Sequence, residues 1–312
     1  MARLLAGAPE GEADLRLAIA RAQEDGDLRS AAVVYMNLGK GIGLHAGPAS
    51  ALACAEAAIG FCDARGIPTE PIRGDRCGWL RDMGAWDEAL ADAEAVRAWG
   101  MEHGDTVTAF NAEEVVALVH TERGEPTPSL DHWYEQMTTG NPATTIAVVV
   151  AETALAANRS TEARRVLELA LERTAVGELD LPARLVRACL RLGALDLARR
   201  SLELGAFRDP VDAAGAVAAR AMVAEAEGDA EAARIGFGDA AERFGRLGII
   251  PERAYALAGL GRCLVALGKT DEGAARLREA RAIWEGLRAT PRIAEIDAVL
   301  DAPAAPATGT PT

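Results

Sequence analysis

Apolar residues recur along this chain at helical spacing, and each apolar stretch stops at a glycine or asparagine set among polar residues. "WLRDMGAWDEALADAEAV" turns at Gly84, "VALVHTERGEPTPSLDHWYEQM" at Gly124 and "VVVAETALAANRSTEARRVLELA" at Asn158. "LVRACLRLGALDLARRSLELG" turns at Gly193, "AMVAEAEGDAEAARIGFGDAA" at Gly228 and "LGRCLVALGKTDEGAARLREA" at Gly268. These turns lie 40, 34, 35, 35 and 40 residues apart, a period that marks stacked supersecondary units. At each one a helix must end in a left-handed residue, which glycine and asparagine tolerate best. Five residues after each turn stands a small residue (Ala89, Ser129, Ala163, Ala198, Ala233, Gly273). Four further on stands a filler (Ala93, Trp133, Leu167, Leu202, Phe237, Leu277). Small residues let paired helices approach, and the larger ones fill the gap between pairs.

An earlier unit, "AAVVYMNLGKGIGLHAGPASALACAEAAIGFCDARG", turns near Ala46-Gly47. Its Gly39, Gly41 and Gly43 fall inside a helix and predict close helix packing. Before it, "GEADLRLAIARAQEDGD" predicts one amphipathic helix ending at Gly26-Asp27, like the second helix of a pair that lacks its first. Its apolar Leu15, Ile19 and Ala22 are expected to be partly open, favouring self-association or fraying there. At the other end "RIAEIDAVLD" is a last helix, and "APAAPATGTPT" holds nothing apolar larger than alanine. The expected organisation is therefore a disordered segment 1–11, a helical array 12–300 and a disordered tail 301–312.

The array resembles the tetratricopeptide repeat. The small–Gly–small–large–small signature of that family is met most fully by "LGRCLVALGKTDEGAARLREA", where Leu260-Gly261, Gly268, Leu277 and Ala280 take the family positions. Two units carry long insertions, and Gln136 breaks the pattern in the unit that turns at Gly124. The resemblance implies an all-α fold, a right-handed superhelical solenoid of about seven degenerate helix pairs. Three longer phrases, "AIARAQEDGDLRSAAVVYMNLGKGIGLHAG", "WLRDMGAWDEAL" and "AYALAGLGRCLVALGKTDEGAARLREARAIWEGL", are similar to the repeat regions of large actinobacterial signalling proteins. Those carry an ATPase module together with a nucleotide cyclase domain or a LuxR-type DNA-binding domain. The similarity implies a non-enzymatic interaction or ligand-sensing module whose partner is a protein or peptide, such as an ATPase or cyclase module. The alternative is a C-terminal fragment of a multidomain ATP-binding transcriptional regulator or nucleotide cyclase.

Composition agrees with small-residue helix packing: 50% of the 312 residues are hydrophobic but only 4% aromatic. A net charge of −14 disfavours nucleic acid and anionic membrane as partners. The most apolar window, beginning at Thr144, is too short to span a bilayer and contains Glu152. Five scattered cysteines without a CxxC pair point to buried thiols in the cytoplasm.

Candidate chemistry is sparse. Gly268-Lys269-Thr270 has the ending of a phosphate-binding P-loop, but Cys263 stands where its first glycine should be and "CLVAL" continues a helix. It is expected to be an interhelical turn. His45, His103, His120 and His132 share no ligand spacing, and no nucleophile–base set appears, so no metal, cofactor or catalytic residue is expected. One segment stands out by charge. From Arg159 to Arg208 ten arginines meet seven acids, net +3, which leaves −17 for the rest. In tetratricopeptide solenoids the first helix of each repeat lines the concave groove. Counting back from each turn places Arg81, Glu114, Glu152, Arg187, Arg191, Glu225 and Arg262 on that surface. Either these side chains bind an acidic partner, with Arg187 and Arg191 as the leading pair, or they join neighbouring repeats by salt bridges, with Glu152 and Glu225 neutralising that pair.

Overall fold

The computed structural model describes residues 2–5, 10–139, 144–175, 182–205 and 207–302. Part of the expected N-terminal segment and residues 303–312 of the tail lie outside them. All regular structure among the described residues is helical: α1 (Ala2–Leu5), α2 (Glu10–Glu24), α3 (Leu28–Ala46), α4 (Pro48–Asp63), α5 (Glu70–Asp82), α6 (Trp86–His103), α7 (Thr106–Arg123), α8 (Asp131–Thr139) and α9 (Thr144–Ala156). Then come α10 (Ser160–Arg173), α11 (Pro182–Arg191), α12 (Leu195–Leu204), α13 (Pro210–Ala226), α14 (Ala230–Leu247), α15 (Ile250–Ala266), α16 (Thr270–Leu287) and α17 (Thr290–Leu300). None of these helices is long and apolar enough to cross a membrane.

The expected turn residues all have positive φ: Gly47, Gly84, Gly124, Gly193, Gly228 and Gly268 between 68° and 87°, and Asn158 at 59°. Residues 263–266 close α15 and Thr270 opens α16, so the sequence that ends like a P-loop is an interhelical turn. Ala89, Ala93, Ala163, Leu167, Ala198, Ala233 and Ala280 are wholly buried, as the spacing predicts. The unit at Gly124 departs from it. Pro126 and Pro128 cannot supply backbone N–H groups, so α8 starts only at Asp131. Ser129 is exposed and its hydroxyl accepts the Asp131 N–H at 3.2 Å, while Leu130, Trp133 and Met137 are buried. Trp133 keeps its expected buried place, Leu130 is buried instead of Ser129, and Gln136 faces solvent beside buried Met137.

The N-terminus also differs from expectation. Helix α2 begins at Glu10, and α1 folds back so that Leu4 is buried with Leu15, Ile19 and Leu38. Gly41 makes room for it: a Cβ there would lie 2.1 Å from the Leu4 side chain. Leu15 and Ile19 are thus covered, and Ala22 is half-buried.

Most helices pack on their sequence neighbours. The first helices of the pairs form one row, α3 on α5, α5 on α7, and so on to α13 on α15. Helices α8, α10 and α12 form a second row behind it. The first row then meets itself, with α3 against α13, α5 against α15 and α7 against α17. One apolar core consequently mixes both ends of the array, with Trp86 (α6) and Trp284 (α16) at 6.4 Å and Tyr255 (α15) edge-on to Trp284 at 4.9 Å.

Candidate functional site

Where the first row closes on itself it forms a half-open cavity of about 100 Å³. Its polar wall comes from Arg81 (α5), Glu122 (α7), Glu152 (α9), Arg184 and Arg187 (α11), and Glu252 and Tyr255 (α15). Its apolar wall includes Trp86, Leu118, Val119 and Phe244. These charged residues stand on the inner face of helices whose other faces are packed with alanine and valine, so burial forces them to find one another.

They do so in chains of alternating charge. Arg81 donates to Glu114 at 2.7 Å and to Asp82 at 2.8 and 3.0 Å. Glu114 accepts a second guanidinium N–H from Arg184 at 3.1 Å, and Arg184 reaches Glu152 at 3.5 Å. Arg187 holds both Glu252 oxygens and lies over the Tyr255 ring, 3.6 Å from its centroid. The Tyr255 hydroxyl donates to Glu122, which also accepts from Arg292 (α17) at 2.8 Å. Burial works to raise the Glu114 carboxyl, but the charges of Arg81 and Arg184 and their hydrogen bonds outweigh it and hold the group low. Burial and the Glu122 carboxylate together push the Tyr255 phenol well up. Burial would lower Arg187, and Glu252 keeps it firmly charged.

Of the residues counted onto the inner surface, Arg81, Glu152 and Arg187 line this cavity, and Glu114 joins its wall from behind. Arg262 holds Glu225 through two hydrogen bonds of 2.8 Å, away from the cavity. Arg191 is exposed and makes no hydrogen bond or ion pair among the described residues. It shares with Arg187, Arg262 and Arg292 a second, more basic hollow beside the first. Arg187 forms its direct ion pair with Glu252, while Glu152 adds to the negative field around it and Glu225 pairs with Arg262. Some partners follow the expected rule of neighbouring first helices (Arg81–Glu114, Arg184–Glu152, Arg262–Glu225). Others skip along the array: Arg184–Glu114, Arg187–Glu252 and Arg292–Glu122.

Sequence reasoning missed Glu122, Glu252, Tyr255 and Arg292. Glu122 stands two residues before its turn, the same offset as Arg191, so the register alone could have found it. The other three are brought in by closure of the row on itself, which no local pattern records. A further closing contact lies outside the cavity, where Asp87 accepts from Arg123 and Arg288 while Arg123 Nε donates to the Leu287 carbonyl oxygen at 3.2 Å.

The histidines serve local structure: His120 meets the Pro126 carbonyl at 2.9 Å, and His132 meets buried Glu113 at 3.0 Å. No cluster of potential metal ligands occurs among the described residues. Burial pushes the Cys77 and Cys189 thiols up to about 12 and Cys263 up to about 11, the values of unreactive core thiols. Compared with known proteins, the chain matches no family model, and no curated protein matches it.

Proposed function

We propose that the chain is a non-enzymatic helical module of the tetratricopeptide type, a right-handed solenoid of about seven degenerate pairs that senses a ligand and signals to a protein partner. The partner class is an ATPase or nucleotide cyclase module, and the compartment is the bacterial cytoplasm. One observation carries the proposal: the cavity wall is drawn from helices as far apart in the chain as α5 and α15. Anything seated there touches both halves of the array at once, so its binding energy bears directly on how firmly the halves hold together. The interaction role is supported by the turns from Gly47 to Gly268, each between two packed helices, and by the exposure of Arg191.

The test is reconstitution. The purified chain is titrated with a purified ATPase or cyclase module encoded beside it, and complex formation and turnover of the module are followed together. A saturable complex with an altered turnover rate is expected. Absence of any complex with either kind of module would refute the interaction role. Turnover by the chain alone in hydrolase or cyclase assays, lost on a single substitution, would replace it with an enzyme.

A further inference from the structure

We infer that the central cavity binds a small zwitterion, a molecule with an ammonium and a carboxylate group spaced as in an α-amino acid. The inference rests on the sensing role proposed above and names its ligand class. Among the described residues one polar atom of the cavity wall has no partner and one carboxylate is weakly held. Glu152 is 4% exposed, and its one hydrogen bond there is the 3.5 Å approach of Arg184, a guanidinium closer to Glu114. A carboxylate has about four lone-pair sites, so Glu152 is left with acceptor capacity inside a low-dielectric wall. Arg187 is the converse. Its two terminal nitrogens hold Glu252, and its Nε is buried with no hydrogen-bond partner among the described residues. Arg184 and Arg187 are three residues apart on α11, one turn along one face, and both line the cavity with Glu152 of the adjacent α9.

An amine alone would serve Glu152 and leave the Arg187 Nε–H unpaired. A carboxylate alone would serve Arg187 but be repelled by Glu152 and Glu252. One molecule carrying both groups serves both, and the apolar wall at Leu118, Val119 and Phe244 accommodates a short aliphatic substituent. The half-open cavity of about 100 Å³ has room for the head group and short side chain of the smallest amino acids.

Isothermal titration of the full chain with glycine and L-alanine, against ethylamine and propionate, decides the matter. Saturable binding of glycine or L-alanine, at least about tenfold tighter than ethylamine or propionate, is expected. Glu152→Gln and Arg187→Lys should each weaken the binding by about tenfold or more, since each removes a charge-assisted hydrogen bond. Lys269→Gln, in a distant turn, should leave it unchanged. Should either cavity variant lose its helical circular dichroism, the four-probe comparison on the unaltered chain decides alone. Ethylamine or propionate binding as tightly as glycine would overturn the zwitterion assignment, and so would no binding of any probe. If the probes fail while the partner complex of the preceding experiment still forms, the ligand assignment falls and the interaction role stands. If both fail, both fall.

Discussion

Gly47 is the position where one methyl group tests whether the array closes on itself. It joins α3 to α4 at φ 85° and ψ 173°, a region of backbone space almost confined to glycine. A Cβ built there would lie 2.1 Å from the carbonyl oxygen of Leu247, the last residue of α14. Ordinary carbon–oxygen contacts begin near 3.3 Å, so Gly47→Ala must drive the α3–α4 turn and the end of α14 apart by about 1.2 Å. Backbone strain of about 1–3 kcal/mol and overpacking of about 1–3 kcal/mol then add to roughly 2–6 kcal/mol. Gly66 supplies the matched control. Its φ is 65°, and a Cβ there meets nothing within 4 Å, so Gly66→Ala carries only the left-handed penalty of about 1–2 kcal/mol. Urea unfolding followed by circular dichroism measures both variants, and amide hydrogen exchange reports where protection is lost. Gly47→Ala should shift the midpoint further and speed exchange around residues 244–250, some two hundred residues away in the chain. If the two variants are equally destabilised and exchange near Leu247 is unchanged, the first row does not close as described.

Three further outcomes are expected. Trp284 is 1% exposed against Trp86 and Tyr255, so Trp284→Ala should cost about 3–5 kcal/mol in urea unfolding, and a loss under 1 kcal/mol would show that the two ends share no core. Glu114 has a folded value held below its unfolded value of about 4.3, so its stabilisation is present above that pH and is lost as pH falls through the lower, folded value. Glu114→Gln should therefore be destabilised by about 3–5 kcal/mol at pH 7, with the gap to the unaltered chain narrowing below pH 4, and a gap independent of pH would refute the coupling. Among the thiols, half-buried Cys54 should react first with a disulfide reagent at pH 8 and Cys77 and Cys189 last, and equal rates in the folded chain would contradict their burial.

Helix identity, the positions of the interhelical turns and most of the alanine-lined core were legible in the sequence, because each depends on neighbours within one or two turns of helix. Glycine or asparagine where φ must be positive, and a small residue five places on, report local geometry directly. Where the local chemistry changed, the pattern misled: with Pro126 and Pro128 ahead of it α8 starts late and buries Leu130 instead of Ser129, and α1 covered a face that the spacing left open. The inner charged surface was half legible. Helical periodicity placed Arg81, Glu114, Glu152 and Arg187 on one face, since that depends on residues per turn alone. Their partners were decided by tertiary structure. Along the row, α3, α5 and α7 come to meet α13, α15 and α17. That packing sets Tyr255 against Glu122 and Arg292 against Glu122, while Arg187 reaches Glu252 two helices along the row and Arg191 has no partner among the described residues. No single stretch of sequence encodes these pairs, because they join helices far apart in the chain.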